Sequence, residues 1–273
     1  MTTTTFAPTI QPSANLWASS LGIAKRGILK FLRTPQLVVV GTIQNALFLV
    51  IFRYVFGGAI GSSLAGGLSY VDFLIPGFIT TGILFSGMGS AAGMAEDLEQ
   101  GFVDRLRSLP IPRSAVLAGR ALADTALVVY GMVVSMAVGF AVGFRLHGSV
   151  RDALLAFALL VVLGFVFEWV FLTLGLFAGN AQAAQGMSLM VFPLTFVSSA
   201  YVPVQTMPGW MQSFAQNQPL TVMVDAIRAL TEGPVAEAAL GHSASYYVIR
   251  SLLWGAALLA VFVPVAVARY RRG

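Results

Sequence analysis

The chain has 273 residues, 57% of them hydrophobic and only 10% charged, with a formal net charge of +5 and no cysteine. A soluble domain carries about 25% charged residues, so this composition indicates an integral membrane protein rather than a soluble enzyme. The absence of cysteine excludes a disulfide framework, a thiolate metal site and a cysteine nucleophile.

The first 20 residues contain no Lys or Arg and no apolar core, so they are not read as a signal peptide. Residues 1–14 are expected to form a polar, disordered tail. Residues 15–34 place Trp17, Leu21, Ala24, Ile28 and Phe31 on one helical face, with Lys25, Arg26, Lys30 and Arg33 beside it. A basic amphipathic helix with a Trp fits an interfacial helix on the inner leaflet. Pro35 closes it.

A span needs about 20 apolar residues to cross roughly 30 Å of hydrocarbon. Six segments qualify, at about 36–56, 71–95, 116–144, 153–177, 183–204 and 246–268. The second is rich in small residues (Gly82, Ser86, Gly89, Ser90 and Gly93), a pattern read first as packing within the chain and second as a dimer seam. Between the fifth and sixth spans, Trp210, Met211 and Phe214 cluster, and Leu220, Val224, Ile227 and Leu230 line one helical face. Two short amphipathic helices dipping into the outer leaflet fit this segment, as does a surface loop with aromatic anchors. Asp225 and Arg228, three apart, are placed to pair. The expected architecture is thus all-α: six transmembrane helices, an N-terminal interfacial helix, a cytoplasmic helix after span two and short outer-leaflet helices.

Charge sets the orientation. Eleven of the 16 Lys and Arg fall in residues 25–33, 105–120 and 269–272, against four (Arg145, Arg151, Arg228, Arg250) on the opposite side, with Arg53 inside a span. By the positive-inside rule both termini are cytoplasmic. The basic excess therefore reports membrane topology, and no nucleic-acid partner is expected.

The densest charge lies at 96–120, EDLEQGFVDRLRSLPIPRSAVLAGR. Leu98, Phe102, Leu106 and Leu109 recur as one apolar stripe, acids precede arginines as a helix dipole prefers, and Pro110 and Pro112 stop the pattern. Two readings fit: a surface helix that grips a partner, or a solvated loop resting on headgroups.

Few residues could carry chemistry. Neither Lys25 nor Lys30 follows a glycine, so no phosphate-binding loop is present. His147 and His242 lack a ligand spacing and read as solvated. Among ionisable residues inside spans, Arg53 and Asp72 lie near the outer ends of the first two and are expected to pair. Asp124 lies within reach of Arg120. Glu168, about 15 residues into span four, fits a neutral carboxyl, a carboxyl hydrogen-bonded to a neighbouring helix, or a group in a transport path.

Two segments together resemble the type-2 permeases of ATP-binding-cassette (ABC) exporters, closest to the daunorubicin-resistance branch of drug and lipid exporters. The first holds Glu99, Gly101, Leu106, Leu109, Pro110, Gly119 and Arg120. The second holds Pro193, Phe196, Ser198, Pro203, Met207, Pro208, Trp210, Asn217, Pro219 and Arg228. The likeness covers residues 15–272, read as a single type-2 ABC transmembrane domain, with one departure at Ser199, where the family often has Gly. Binding-protein-dependent importers share a Glu/Gly loop, but the nine residues from Gly101 to Pro110 are shorter than theirs.

The resemblance implies a non-catalytic permease in the cytoplasmic membrane. It would pair with a second permease, the same chain or a relative, and rest on two copies of an ATPase subunit that carry ATP and magnesium; this chain would hold no cofactor. Glu96, Asp97, Glu99, Gly101, Phe102, Asp104, Arg105, Leu106 and Pro110 would couple to the ATPase. A hydrophobic or amphiphilic drug or lipid would pass between permeases, along a path with Phe78, Thr81, Phe85, Phe192, Phe196 and Glu168 as candidates. The rival from another class is an ion-coupled secondary transporter using Glu168, which would predict an internal repeat that the halves do not show.

Overall fold

The computed structural model describes residues 16–61, 64, 68–103 and 113–272, with the backbone alone at Leu16, Trp17, Lys30, Leu37, Val38, Arg113 and Arg272. Every regular element among the described residues is helical. Helix α1 (Leu16–Leu32) ends before Pro35, which opens α2 (Pro35–Ile51) from its first turn. A π-helical turn, Phe52–Phe56, joins α2 to α3 (Gly57–Gly61). Then come α4 (Tyr70–Glu99), α5 (Arg113–Ala141) and α6 (Val150–Phe177). Short helices follow: α7 (Ala181–Leu189), α8 (Phe192–Phe196), α9 (Gly209–Asn217), α10 (Pro219–Glu232) and α11 (Pro234–Leu240). Helix α12 (Ala244–Arg272) ends the bundle.

Among the described residues, five helical stretches are long and apolar enough to cross a membrane: Val39–Gly61, Tyr70–Glu99, Ser114–Ala141, Val150–Phe177 and Ala244–Arg271. The span expected over 183–204 is not one helix. It divides between α7 and α8, breaks at Met190–Val191, and leaves helical form after Phe196. Pro193 explains the break, since it lacks the N–H that a continuous helix would need there.

Helix α4 is the hub; its spanning portion is the most buried of the five, and α2 is almost wholly exposed. Backbone contact with α6 is close because of glycines. A Cβ on Gly175 would meet the Ala91 carbonyl, and one on Gly87 would overlap the Phe171 ring. Packing of this kind joins helices where lipid is as apolar as any side chain. The small-residue stripe divides accordingly. Ser90 is buried, whereas a Cβ on Gly82 or Gly89 would meet nothing within 4 Å. Intrachain packing therefore does not account for Gly82 and Gly89.

Helix α1 docks on the N-terminal half of α5. Gly119 lies against the backbone of Ser20, Gly27 against Ala123, and Ser20 Oγ donates to the Ala115 carbonyl at 3.2 Å. Helix α2 is held to α5 by polar clasps, Thr42 with Tyr130 at 2.9 Å and Asn45 with Ser135 at 2.9 Å.

The segment between the last two expected spans departs from expectation in one half. Helix α9 keeps Trp210 and Phe214 exposed. Helix α10 instead lies inside the bundle, with every residue from Leu220 to Glu232 buried. Its apolar face packs on α4, α6 and α12, and its polar residues find partners within the protein.

Candidate functional site

The C-terminal end of α4 is where the charged 96–120 segment begins. Glu96–Glu99 form the last turn of α4, so Leu98 and Phe102 do not share one continuous helix as the apolar stripe implied. The chain reverses at Gly101, whose φ of 65° is a left-handed conformation that favours glycine. Its N–H donates to the Leu98 carbonyl at 3.1 Å, closing the turn. Beyond it Phe102 lies under the Arg26 guanidinium, 4.4 Å from ring centroid to carbon, which ties α1 to the turn. Val103 is buried against Met94, Leu117 and Tyr270. Asp104, Arg105, Leu106 and Pro110 lie outside the described residues.

The acids of this turn have separate fates. Glu96 and Glu99 are exposed. Asp97 turns inward and pairs with Arg120, which also reaches Asp124 at 3.1 Å. Gly93 makes this possible, because a Cβ there would stand 2.5 Å from the Arg120 guanidinium. Arg120→Met should therefore cost more than Asp97→Asn. The first leaves Asp124, only 8% exposed, without its cation, at about 2 kcal/mol; the second removes one half-exposed partner, at roughly 1 kcal/mol or less. Thermal unfolding of both variants in detergent checks the order.

Three of the six expected path residues come together. Phe85 meets Phe192 at 5.5 Å between centroids and Phe192 meets Phe196 at 5.1 Å. The ladder continues through Tyr201 to Phe52 and Phe56. Phe85 and Phe196 are exposed, so the ladder forms part of an open wall. The wall borders a crevice lined by Leu84, Met88, Phe171 and Val191. Thr81 is buried behind it and holds the Tyr201 hydroxyl at 2.8 Å. Phe78 and Glu168 belong to the core instead. Glu168 is fully buried, and neither carboxylate oxygen has a hydrogen-bond partner among the described residues.

The end of the bundle opposite the Gly101 turn holds a buried polar network. Arg228 is 1% exposed and pairs with Asp225 at 2.7 Å, as their spacing predicts. Its guanidinium also donates to the Ser199 carbonyl at 2.7 Å and the Phe73 carbonyl at 3.0 Å, and lies 3.8 Å from the Phe73 ring centroid. Asp225 accepts from Ser199 Oγ at 2.7 Å. The position where the family often carries Gly thus holds a side chain that completes this network.

Two expectations fail here. No ion pair joins Arg53 to Asp72 among the described residues. Asp72 sits in the first turn of α4 and accepts from Ser69 Oγ at 2.5 Å and the Arg145 N–H at 3.1 Å, whereas Arg53 lies over Tyr54. His147 is not simply solvated. Its Nδ1 lies 2.8 Å from Glu232 Oε2, and Asp72 completes a group whose ligand atoms all fall within 4.8 Å of one another. Burial pushes the Glu232 carboxyl up to about 7. The contacts join residues 85 and 75 positions apart, so no local spacing could have signalled them.

Comparison with known proteins gives a consistent result. The family model described as "ABC-2 type transporter" matches residues 21–231. The chain is 30% identical to the daunorubicin resistance ABC transporter permease protein of Streptomyces coeruleorubidus over 248 residues, covering 90% of this chain and 83% of that one. It is 26% identical to a probable doxorubicin resistance ABC transporter permease protein of Mycobacterium tuberculosis over 270 residues, covering 97% and 93%. A putative transport permease of Porphyra purpurea is 28% identical over 214 residues, covering 76% and 71%.

Proposed function

Because the chain belongs to the ABC-2 type transporter family, whose members are multi-pass transport permeases, we propose that it is the permease subunit of an ATP-driven exporter for a hydrophobic or amphiphilic drug or lipid. ATP and magnesium are held by a separate ATPase, two copies per assembly, and this chain contributes no catalytic residue. The carrying observation is the turn at Glu99, Gly101 and Phe102. It ends the most buried span, offers Glu96 and Glu99 to water, and is clamped to α1 by Arg26. Motion imposed on that turn by an ATPase is delivered straight into the hub of the bundle.

The cargo class rests on two supports. The relatives are named for resistance to daunorubicin and doxorubicin, both amphiphilic aromatic compounds. The open wall of Phe85, Phe192 and Phe196 offers apolar faces and no charge. A second permease, identical or related, faces this wall across the open Gly82–Gly89 side of α4. The Lys and Arg distribution favours the cytoplasmic membrane with both termini and the Gly101 turn inside. The ion-coupled alternative rests on Glu168 alone, which lies in the core away from the wall.

The test reconstitutes the permease with its ATPase in liposomes and follows doxorubicin movement and ATP hydrolysis together. Glu99→Lys and Gly101→Val are expected to abolish transport while hydrolysis and membrane insertion persist. Transport surviving both changes would remove the coupling assignment, and transport without ATPase would remove the exporter reading.

A further inference from the structure

We propose that Asp72, His147 and Glu232 form a binding site for a divalent cation of the zinc class at the end of the bundle opposite the Gly101 turn. Each residue comes from a different element: the first turn of α4, the loop between α5 and α6, and the last residue of α10. One imidazole nitrogen and two carboxylate oxygens lie within 4.8 Å of one another. Zinc bonds of about 2.0–2.2 Å put neighbouring ligands roughly 3.3 Å apart in a tetrahedral shell. His147 and Glu232, hydrogen-bonded at 2.8 Å, would part by about 0.5 Å to admit the ion, and Asp72 would close by at most about 1.5 Å.

Charge supplies the independent argument. Glu232 has a fully buried side chain, and its Oε1 has no hydrogen-bond partner among the described residues. Two carboxylates thus face one imidazole, and among the described residues no guanidinium is hydrogen-bonded to either. Arg145 gives Asp72 only its backbone N–H and directs its guanidinium to the Phe140 and Phe144 carbonyls. Arg228, one turn before Glu232, feels its charge, but its guanidinium bonds to Asp225, Ser199 and Phe73. A bound cation would satisfy the orphaned oxygen and neutralise the pair. Buried charges need such compensation.

The surroundings are those of a built site. Ser69 Oγ and the Arg145 N–H hold both oxygens of Asp72, the kind of outer support that orients metal ligands. The His147 loop is fastened to α10 independently of any ion, through the His147 and Gly148 N–H groups on the Thr231 carbonyl at 3.0 and 2.8 Å. Gly148 permits this, since a Cβ there would collide with the Leu230 carbonyl. His147 is 49% exposed, which gives an ion access from the medium and leaves room for water as a fourth ligand. The imidazole favours zinc over magnesium or calcium, which prefer all-oxygen shells. Occupancy would staple the ends of α4 and α10 to the α5–α6 loop. Only the side of the membrane from which the ion arrives depends on the orientation proposed above.

The experiment uses the full-length protein purified in detergent, equilibrated with zinc chloride and desalted. Retained zinc is counted by mass spectrometry, and the melting temperature is read with and without the ion. One zinc per chain and a rise in melting temperature are expected. His147→Gln keeps a hydrogen-bond donor for Glu232 but is a poor zinc ligand. It should match the metal-free melting temperature of the parent, lower zinc affinity at least roughly tenfold, and remove the shift. Glu232→Gln should also lose the shift, and His242→Gln should keep it. Failure of the parent to retain zinc, equal retention by His147→Gln, or an equal shift from magnesium chloride would each overturn the site.

Discussion

Replacing Arg228 by alanine is expected to destabilise the bundle by about 3–5 kcal/mol, enough to remove most folded protein from a detergent extract. The cost does not come from the pair itself, since a buried ion pair often adds little over apolar residues of the same shape. It comes from what is left behind: an unpaired Asp225 and the Ser199 and Phe73 carbonyls without their charged donor. The variant Arg228→Lys keeps the charge but cannot span three acceptors with one planar fork, so it should fall between. Asp225→Asn combined with Arg228→Ala should be more stable than Arg228→Ala alone, because the uncompensated charge is gone. Unfolding of the three variants in detergent measures these differences. An Arg228→Ala protein as stable as its parent would show that Arg228 does not pin α10 to α4.

The second large effect is expected at Gly77. A Cβ there would fall on the Ala200 carbonyl oxygen and within 2.7 Å of the Ala200 Cα. Both are backbone atoms of the segment whose Ser199 carbonyl Arg228 holds, so neither side can shift cheaply. Gly77→Ala should cost about 2–3 kcal/mol despite a gain of roughly 1 kcal/mol in helix propensity. Gly131 is the control, because its Cβ would meet nothing within 4 Å. Gly131→Ala should be neutral or stabilising by up to about 1 kcal/mol. Equal behaviour of the two alanine variants in thermal unfolding would refute the close approach of α4 to Ala200.

Both effects arise at one seam, where the start of α4 meets Ser199–Ala200 and α10. The same seam carries Asp72 and Glu232, so changes to Arg228 should be scored for zinc retention only where the variant folds. The turn at Gly101 lies at the other end of α4. Coupling and cation binding can therefore be tested by variants that do not overlap.

The sequence by itself determined the class of the protein and most of its longitudinal plan. Hydrocarbon-length apolar runs with almost no charge can persist only as membrane helices, because every backbone group must be satisfied internally. Five of the six expected spans and a separate N-terminal helix α1 follow from that constraint, and the first span continues through a π-helical turn. Proline was legible in part: the first helix ends before Pro35 as expected, and Pro35 also opens the next one. The left-handed turn at Gly101 was not. Asp225 and Arg228 could be paired because three residues on a helix lie side by side.

Tertiary structure alone decided the rest. The run at 183–204 has the composition of a span, but Pro193 and the packing of α10 divide it. Helix α10 looks amphipathic in one dimension; only the bundle supplies partners that let its polar face be buried. The sequence places Arg53 and Asp72 near the outer ends of neighbouring spans, yet the capping geometry of α4 and the Arg145 N–H claim the carboxylate. His147 meets Glu232 across 85 positions. Periodicity and hydropathy report what each residue's immediate neighbours permit. Partners that distant in the chain are chosen by how whole helices pack, and glycines such as Gly77, Gly148 and Gly175 set that approach by the atoms they lack.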